Sequence, residues 1–138
     1  MPKVEILKYP PSAIKVLTGS TINLFWRYRV EPIDRLKFTS WYYGTIVKNR
    51  LNVDLILRKS HDGGGRLEFN PSLTDDKNNR TSCYFSLNDQ IWTMRCRITN
   101  VNVDDSAIYG VQLKLDGIEE PILNATSVTV VGKSTIKI

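Results

Sequence analysis

The sequence predicts an all-β fold, built as an antiparallel sandwich or barrel. Short stretches rich in β-branched and aromatic residues dominate the chain. Clusters of turn-forming residues punctuate them roughly every 8–12 residues, the spacing of sandwiches and barrels. No segment sustains a 3.6-residue apolar period, so no amphipathic helix competes with the strands.

The elements follow in order. TINLFWRYRV puts Ile22, Leu24 and Trp26 on one face by the two-residue period of a strand. EPIDR then turns the chain into LKFTSWYY. NVDLILRK comes next, and the glycine run of SHDGGG separates it from RLEF. The polar cluster NPSLTDDKNN follows. Beyond LNDQ, TMRCRITNV forms a further strand, and NVDDS leads into IYGVQLKL. There, period two turns Val111, Leu113 and Leu115 inward and Gly110, Gln112 and Lys114 outward. LDGIEEP precedes the last strand, ATSVTVV. The tail GKSTIKI reads as linker. Residues 1–131 are therefore expected to form one domain, and residues 132–138 to lead into a following one.

Composition sets the limits. The 138 residues suit a single domain, and a chain of that length buries about two-thirds of its unfolded surface. Hydrophobic residues make up 41% and charged residues 24%, the balance of a globular protein. No apolar run approaches the ~20 residues that cross a bilayer, so no membrane contact by this domain is expected. MPKVEILKYPP holds no apolar region like that of a signal peptide. The net charge is +5, yet the basic residues are scattered, with the densest local group at Lys48, Arg50, Arg58 and Lys59. A nucleic-acid binder concentrates its cations on one face, so no nucleic-acid partner is expected. At most that group suits an acidic protein or glycan.

Two cysteines occur, Cys83 and Cys96, without CxxC spacing and with one histidine, His61. Zinc needs four ligands, usually in close pairs, so no metal or cofactor is expected. One disulfide or two buried thiols remain. Asn79-Arg80-Thr81 and Asn124-Ala125-Thr126 are glycosylation sequons, which favours the disulfide and an extracellular protein.

Ile98, Val101, Asp105, Ala107 and Tyr109 spell IxxVxxxDxAxY. This resembles the strand E to strand F signature of the immunoglobulin superfamily. Upstream, Gly19, Ile22 and Leu24 resemble the approach to the family's first cysteine, and Trp41 resembles its strand C tryptophan. Val16 and Pro10-Pro11 resemble a first strand that breaks and switches sheets. The resemblance spans roughly residues 4 to 131. It departs from the family where Trp26 and Val111 hold the two positions whose cysteines normally bridge the sheets. A buried Trp–Val contact can fill that space.

The resemblance implies an immunoglobulin-like β-sandwich of V-set layout, with NVDLILRK as strand C′ and RLEF as C″. It implies that Tyr109 makes a tyrosine corner, its hydroxyl bonding back to nearby backbone. It pairs Arg80, opening strand D, with Asp105. If D and E are antiparallel neighbours joined through SLNDQ, Cys83 and Cys96 fall nearly opposite each other and can bridge. Thr39 stands where the family usually has an apolar residue, so a bulge near Phe38 is expected.

Other motifs carry less. GKST at 132–135 lacks the upstream glycine of a phosphate loop, since Ser127 stands there. HDGGG reads as a turn. The acid pairs Asp75-Asp76, Asp104-Asp105 and Glu119-Glu120 lie in turns, where carboxylates are usually solvated. No base, nucleophile and oxyanion site assemble, so no catalytic residue is expected and the chain is read as a non-enzyme.

A V-set domain commonly docks another such domain through its GFCC′C″ sheet. Trp41 faces in, so Tyr42 faces out, where tyrosine is a favoured anchor. The expected partner face holds Tyr42, Lys48, Arg58, Gly110, Gln112 and Lys114. The missing inter-sheet cysteines are similar to those of the membrane-distal domains of hydroid (cnidarian) allorecognition receptors. That resemblance implies a single-pass cell-surface receptor that binds the same protein on an opposing cell. The other reading is a secreted or viral immunoglobulin-like module that binds a heterologous protein or an acidic glycan.

Overall fold

The computed structural model describes residues 3–61, 67–70 and 79–132. The glycine run at 63–65, Arg66, the Asp75-Asp76 pair and the tail from residue 133 lie outside the described residues. Among the described residues ten strands run in chain order: β1 (Lys3–Lys8), β2 (Ala13–Leu17), β3 (Ile22–Glu31), β4 (Leu36–Val47), β5 (Arg50–Ser60), β6 (Leu67–Phe69), β7 (Thr81–Asn88), β8 (Ile91–Ile98), β9 (Ala107–Leu115) and β10 (Ile122–Val131). They form two sheets. One has the order β1-β3-β8-β7, and the other β2-β10-β9-β4-β5-β6. The fold is thus a β-sandwich. Among the described residues, no helix is long and apolar enough to cross a membrane.

The alternation of side chains explains how the sheets stack. Ile22, Leu24, Trp26, Tyr28 and Val30 are buried along β3, while the residues between them face out. Val111, Leu113 and Leu115 do the same on β9 and Trp41 on β4, so one core joins both sheets. The first strand divides at Pro10 and Pro11, which cannot donate to a ladder. Before them β1 pairs antiparallel with β3, and after them β2 pairs parallel with β10 in the other sheet. Two register shifts interrupt β4, one between Leu36 and Phe38 and one between Trp41 and Tyr42. Thr39 is buried at the first of them, and its hydroxyl is satisfied by His61 Nε2 at 3.0 Å.

A polar knot closes the bottom of the sandwich. Arg80 donates from Nη1 to Asp105 Oδ2 at 2.9 Å and from Nη2 to Oδ1 at 3.1 Å. Asp105 Oδ2 also accepts the Asn102 backbone N–H at 3.0 Å, capping the short 3-10 turn Val103–Asp105. The Tyr109 hydroxyl donates to the Asp105 backbone carbonyl at 2.6 Å. Burial pushes the pKa of that hydroxyl well above the ordinary tyrosine value, and Asp105 adds to the effect. The phenol therefore keeps its proton and remains a donor.

β7 and β8 are antiparallel neighbours with Cys83 directly opposite Cys96, and the two form a disulfide. The bridge lies within one sheet and closes a span of 13 residues. A loop that short contributes roughly 3 kcal/mol by restricting the unfolded chain. Cys83→Ala/Cys96→Ala should therefore lower urea-unfolding stability by about 2–4 kcal/mol while the fold persists. A loss below about 0.5 kcal/mol would mean that the unfolded chain is already compact around this hairpin.

Candidate functional site

The outward residues of the six-stranded sheet form the candidate site. Inward-facing Trp41 and Tyr43 leave Phe38, Ser40, Tyr42 and Gly44 on the other side of β4, with Ser40 buried beneath Arg58. Pairing aligns these with Gln112, Gly110 and Ile108 of β9 and with Val53 and Leu55 of β5. β10 adds Leu123 and Ala125 opposite Gln112 and Gly110. A shallow trough of about 440 Å³ runs across these strands. Its walls are apolar: Leu51, Val53 and Leu123 are 57%, 56% and 66% exposed, an unusual placement for side chains that gain by leaving water.

Two glycines keep the floor low. A Cβ on Gly110 would stand 3.3 Å from the Asn124 carbonyl oxygen and 3.4 Å from the Ala125 Cβ, so β10 would have to yield. A Cβ on Gly44 would meet the flexible end of Leu51 at 2.9 Å, filling the trough from β4. Tyr42 stands between them at mid-strand, half-buried.

No protein-family model matches the chain. No curated protein matches it either.

The expected face residues divide into three groups. Tyr42, Gly110 and Gln112 line the trough. Arg58 faces the same way but lies beside it, its Nε donating to Ser40 Oγ at 3.2 Å and its guanidinium 4.4 Å from the centre of the Phe38 ring. Lys48 and Lys114 lie at opposite ends. Lys48 is in the two-residue turn that joins β4 to β5, where Lys48 and Asn49 both have positive φ, the twist that suits a tight hairpin. Lys114 Nζ donates to the Ile118 and Glu119 carbonyls at 3.0 and 2.9 Å, so it braces the β9–β10 turn instead of extending to the rim.

The expected glycosylation sites also differ. Asn79 is exposed. Asn124 shares the inward face of β10 with Thr126, Val128 and Val130, and its Oδ1 accepts the Trp26 indole N–H at 2.9 Å. Thr126 is buried, with its hydroxyl on the Pro11 carbonyl. A glycan attaches to the amide nitrogen and would need room on this inward face, so the placement argues against use of that sequon.

Sequence reading missed Gly44, Leu51, Val53, Ile108 and Leu123. The alternation of Leu51, Val53 and Leu55 was available, since three apolar residues at period two mark a single face. Leu123 lies ahead of the stretch that reads as strand, so nothing local marks it.

Proposed function

We propose that this chain is an immunoglobulin-like V-set domain of a single-pass cell-surface receptor, and that it recognises a second copy of itself on an opposing cell. The two-sheet layout supports the fold reading, as does a first strand divided between the sheets. So do the Tyr109 corner over the Arg80–Asp105 pair and two further strands, β5 and β6, beyond β4. The disulfide suits an oxidising, extracellular setting. The reading assigns no catalysis.

The observation that carries the recognition reading is the exposed apolar trough around Tyr42. Charge at its ends favours a second copy as occupant. Lys48 and Arg50 are exposed at the β4–β5 end. Glu119 and Glu120 are exposed at the other end, in the β9–β10 turn. Two copies that face each other across a two-fold axis with their sheets reversed bring each basic end to the partner's acidic end. The apolar centre then buries against itself.

Sedimentation equilibrium over rising concentration tests this, alongside aggregation of beads that display the domain. Reversible dimers are expected. Leu123→Glu should weaken them at least tenfold, about 1.4 kcal/mol, because it buries an unpaired charge. Its melting temperature should hold, since Leu123 is exposed in the monomer. A chain that stays monomeric at high concentration would shift the trough to a heterologous partner.

A further inference from the structure

The outer face of the four-stranded sheet gathers cations that lie far apart in the sequence. Period two turns Phe25, Arg27 and Arg29 of β3 to that face, together with Arg95 and Arg97 of β8, and all four arginines are exposed. β1 places Lys8 opposite Arg27, and β7 places Tyr84 opposite Arg95. Lys8 Nζ, Arg27 Cζ and Arg95 Cζ lie 5.2, 5.4 and 5.2 Å from the centre of the Phe25 ring. Among the described residues none of these five cations makes an ion pair. The ring attracts each cation weakly at an exposed site, while the cations repel one another. At one edge of the patch Glu5 lies opposite Arg29, and Glu31 opposite Lys3.

Same-face neighbours along a strand are about 7 Å apart. Arg97, Arg95, Arg27 and Arg29 therefore make a diagonal row about 20 Å long across two strands. We infer that this row is a binding site for a sulfated polysaccharide. The four arginines are exposed along an open sheet face, which suits an extended chain better than an enclosed small molecule. Guanidinium forks match tetrahedral oxyanions such as sulfate. Asn23, Ser82 and Ser86 flank the row with groups that can hydrogen-bond sugar hydroxyls. The Phe25 ring is covered by cations, so it is not an open platform for the base stacking that single-stranded nucleic acid uses. The disulfide suits the extracellular space, where such polysaccharides occur. The row is on the sheet opposite the trough, so the two sites are independent.

Binding of the chain to heparin, with N- and O-desulfated heparin as control, tests the assignment by titration at several salt concentrations. Heparin should bind, and desulfation should abolish binding. Arg27→Ala/Arg95→Ala should weaken binding about tenfold and lower the slope of log affinity against log salt by about two. Lys15→Ala, which removes an exposed cation of the other sheet, should bind as the parent does. Absence of heparin binding would overturn the inference, as would a paired arginine variant that binds unchanged. Duplex DNA or phosphatidylserine vesicles bound as tightly as heparin would overturn it too, by showing an unselective cationic surface.

Discussion

Asp105→Ala should destabilise the domain by about 3–5 kcal/mol, because it takes the carboxylate from a largely buried guanidinium and leaves it the neutral Thr99 and Asn100 carbonyls as acceptors. The Arg80 and Asp105 side chains are 14% and 4% exposed, so water replaces little of what is lost. The substitution also strips the Asn102 N–H of its acceptor and opens the cap of the Val103–Asp105 turn. Many domains hold only 5–15 kcal/mol in total, so the variant should be partly unfolded near physiological temperature. Arg80→Ala/Asp105→Ala should lose less than the sum of the single changes, since neither charge is then orphaned. Urea unfolding of the three variants measures both quantities. A loss of under about 1 kcal/mol for Asp105→Ala would mark the pair as an exposed one of little consequence.

Trp26→Ala should cost a similar amount, about 3–5 kcal/mol, through the cavity left by a fully buried indole. Trp26 is central in β3 and belongs to the same core cluster as Val111 of the facing sheet. Among the described residues no cystine joins the two sheets, because the one disulfide lies between β7 and β8. Cohesion between the layers therefore rests on packing, on the Trp26–Asn124 hydrogen bond at 2.9 Å and on the Arg80–Asp105 pair at the foot of the sandwich. Trp26→Phe keeps much of the volume and loses the bond, so about 1–2 kcal/mol is expected. If Trp26→Ala unfolds within 1 kcal/mol of the parent, the indole is not what holds the sheets.

Much of this was legible because β-strands alternate so simply. Ile22, Leu24 and Trp26 mark the inner face of β3 by counting in twos, and the same count separates Val111 from Gly110 and Gln112. Cys83 and Cys96 fall opposite once a tight turn joins their strands. What was hidden lies at strand ends and between strands. β10 starts at Ile122, three positions ahead of the stretch that reads as strand, because its pairing with β9 carries on across Asn124, a residue disfavoured in strands. Leu123 was hidden with it. The Lys114 amine looks free by parity, yet the turn beyond β9 folds two carbonyls onto it. Asn124 satisfies a three-residue rule that carries no information about which way a strand faces. The cations looked scattered because Lys8, Arg27 and Arg95 converge only when β1, β3 and β8 pair.

On the proposed reading, the trough pairs with its own copy in reversed orientation. The most direct measurement is sedimentation of two charge-reversed variants, alone and mixed, at physiological salt. Glu119→Lys/Glu120→Lys makes both ends of the face basic, and Lys48→Glu/Arg50→Glu makes both ends acidic. Each variant alone should lose the self-association of the parent, and an equal mixture should regain it as a heterodimer. Variants that each dimerise like the parent, or a mixture that stays monomeric while the parent dimerises, would contradict it.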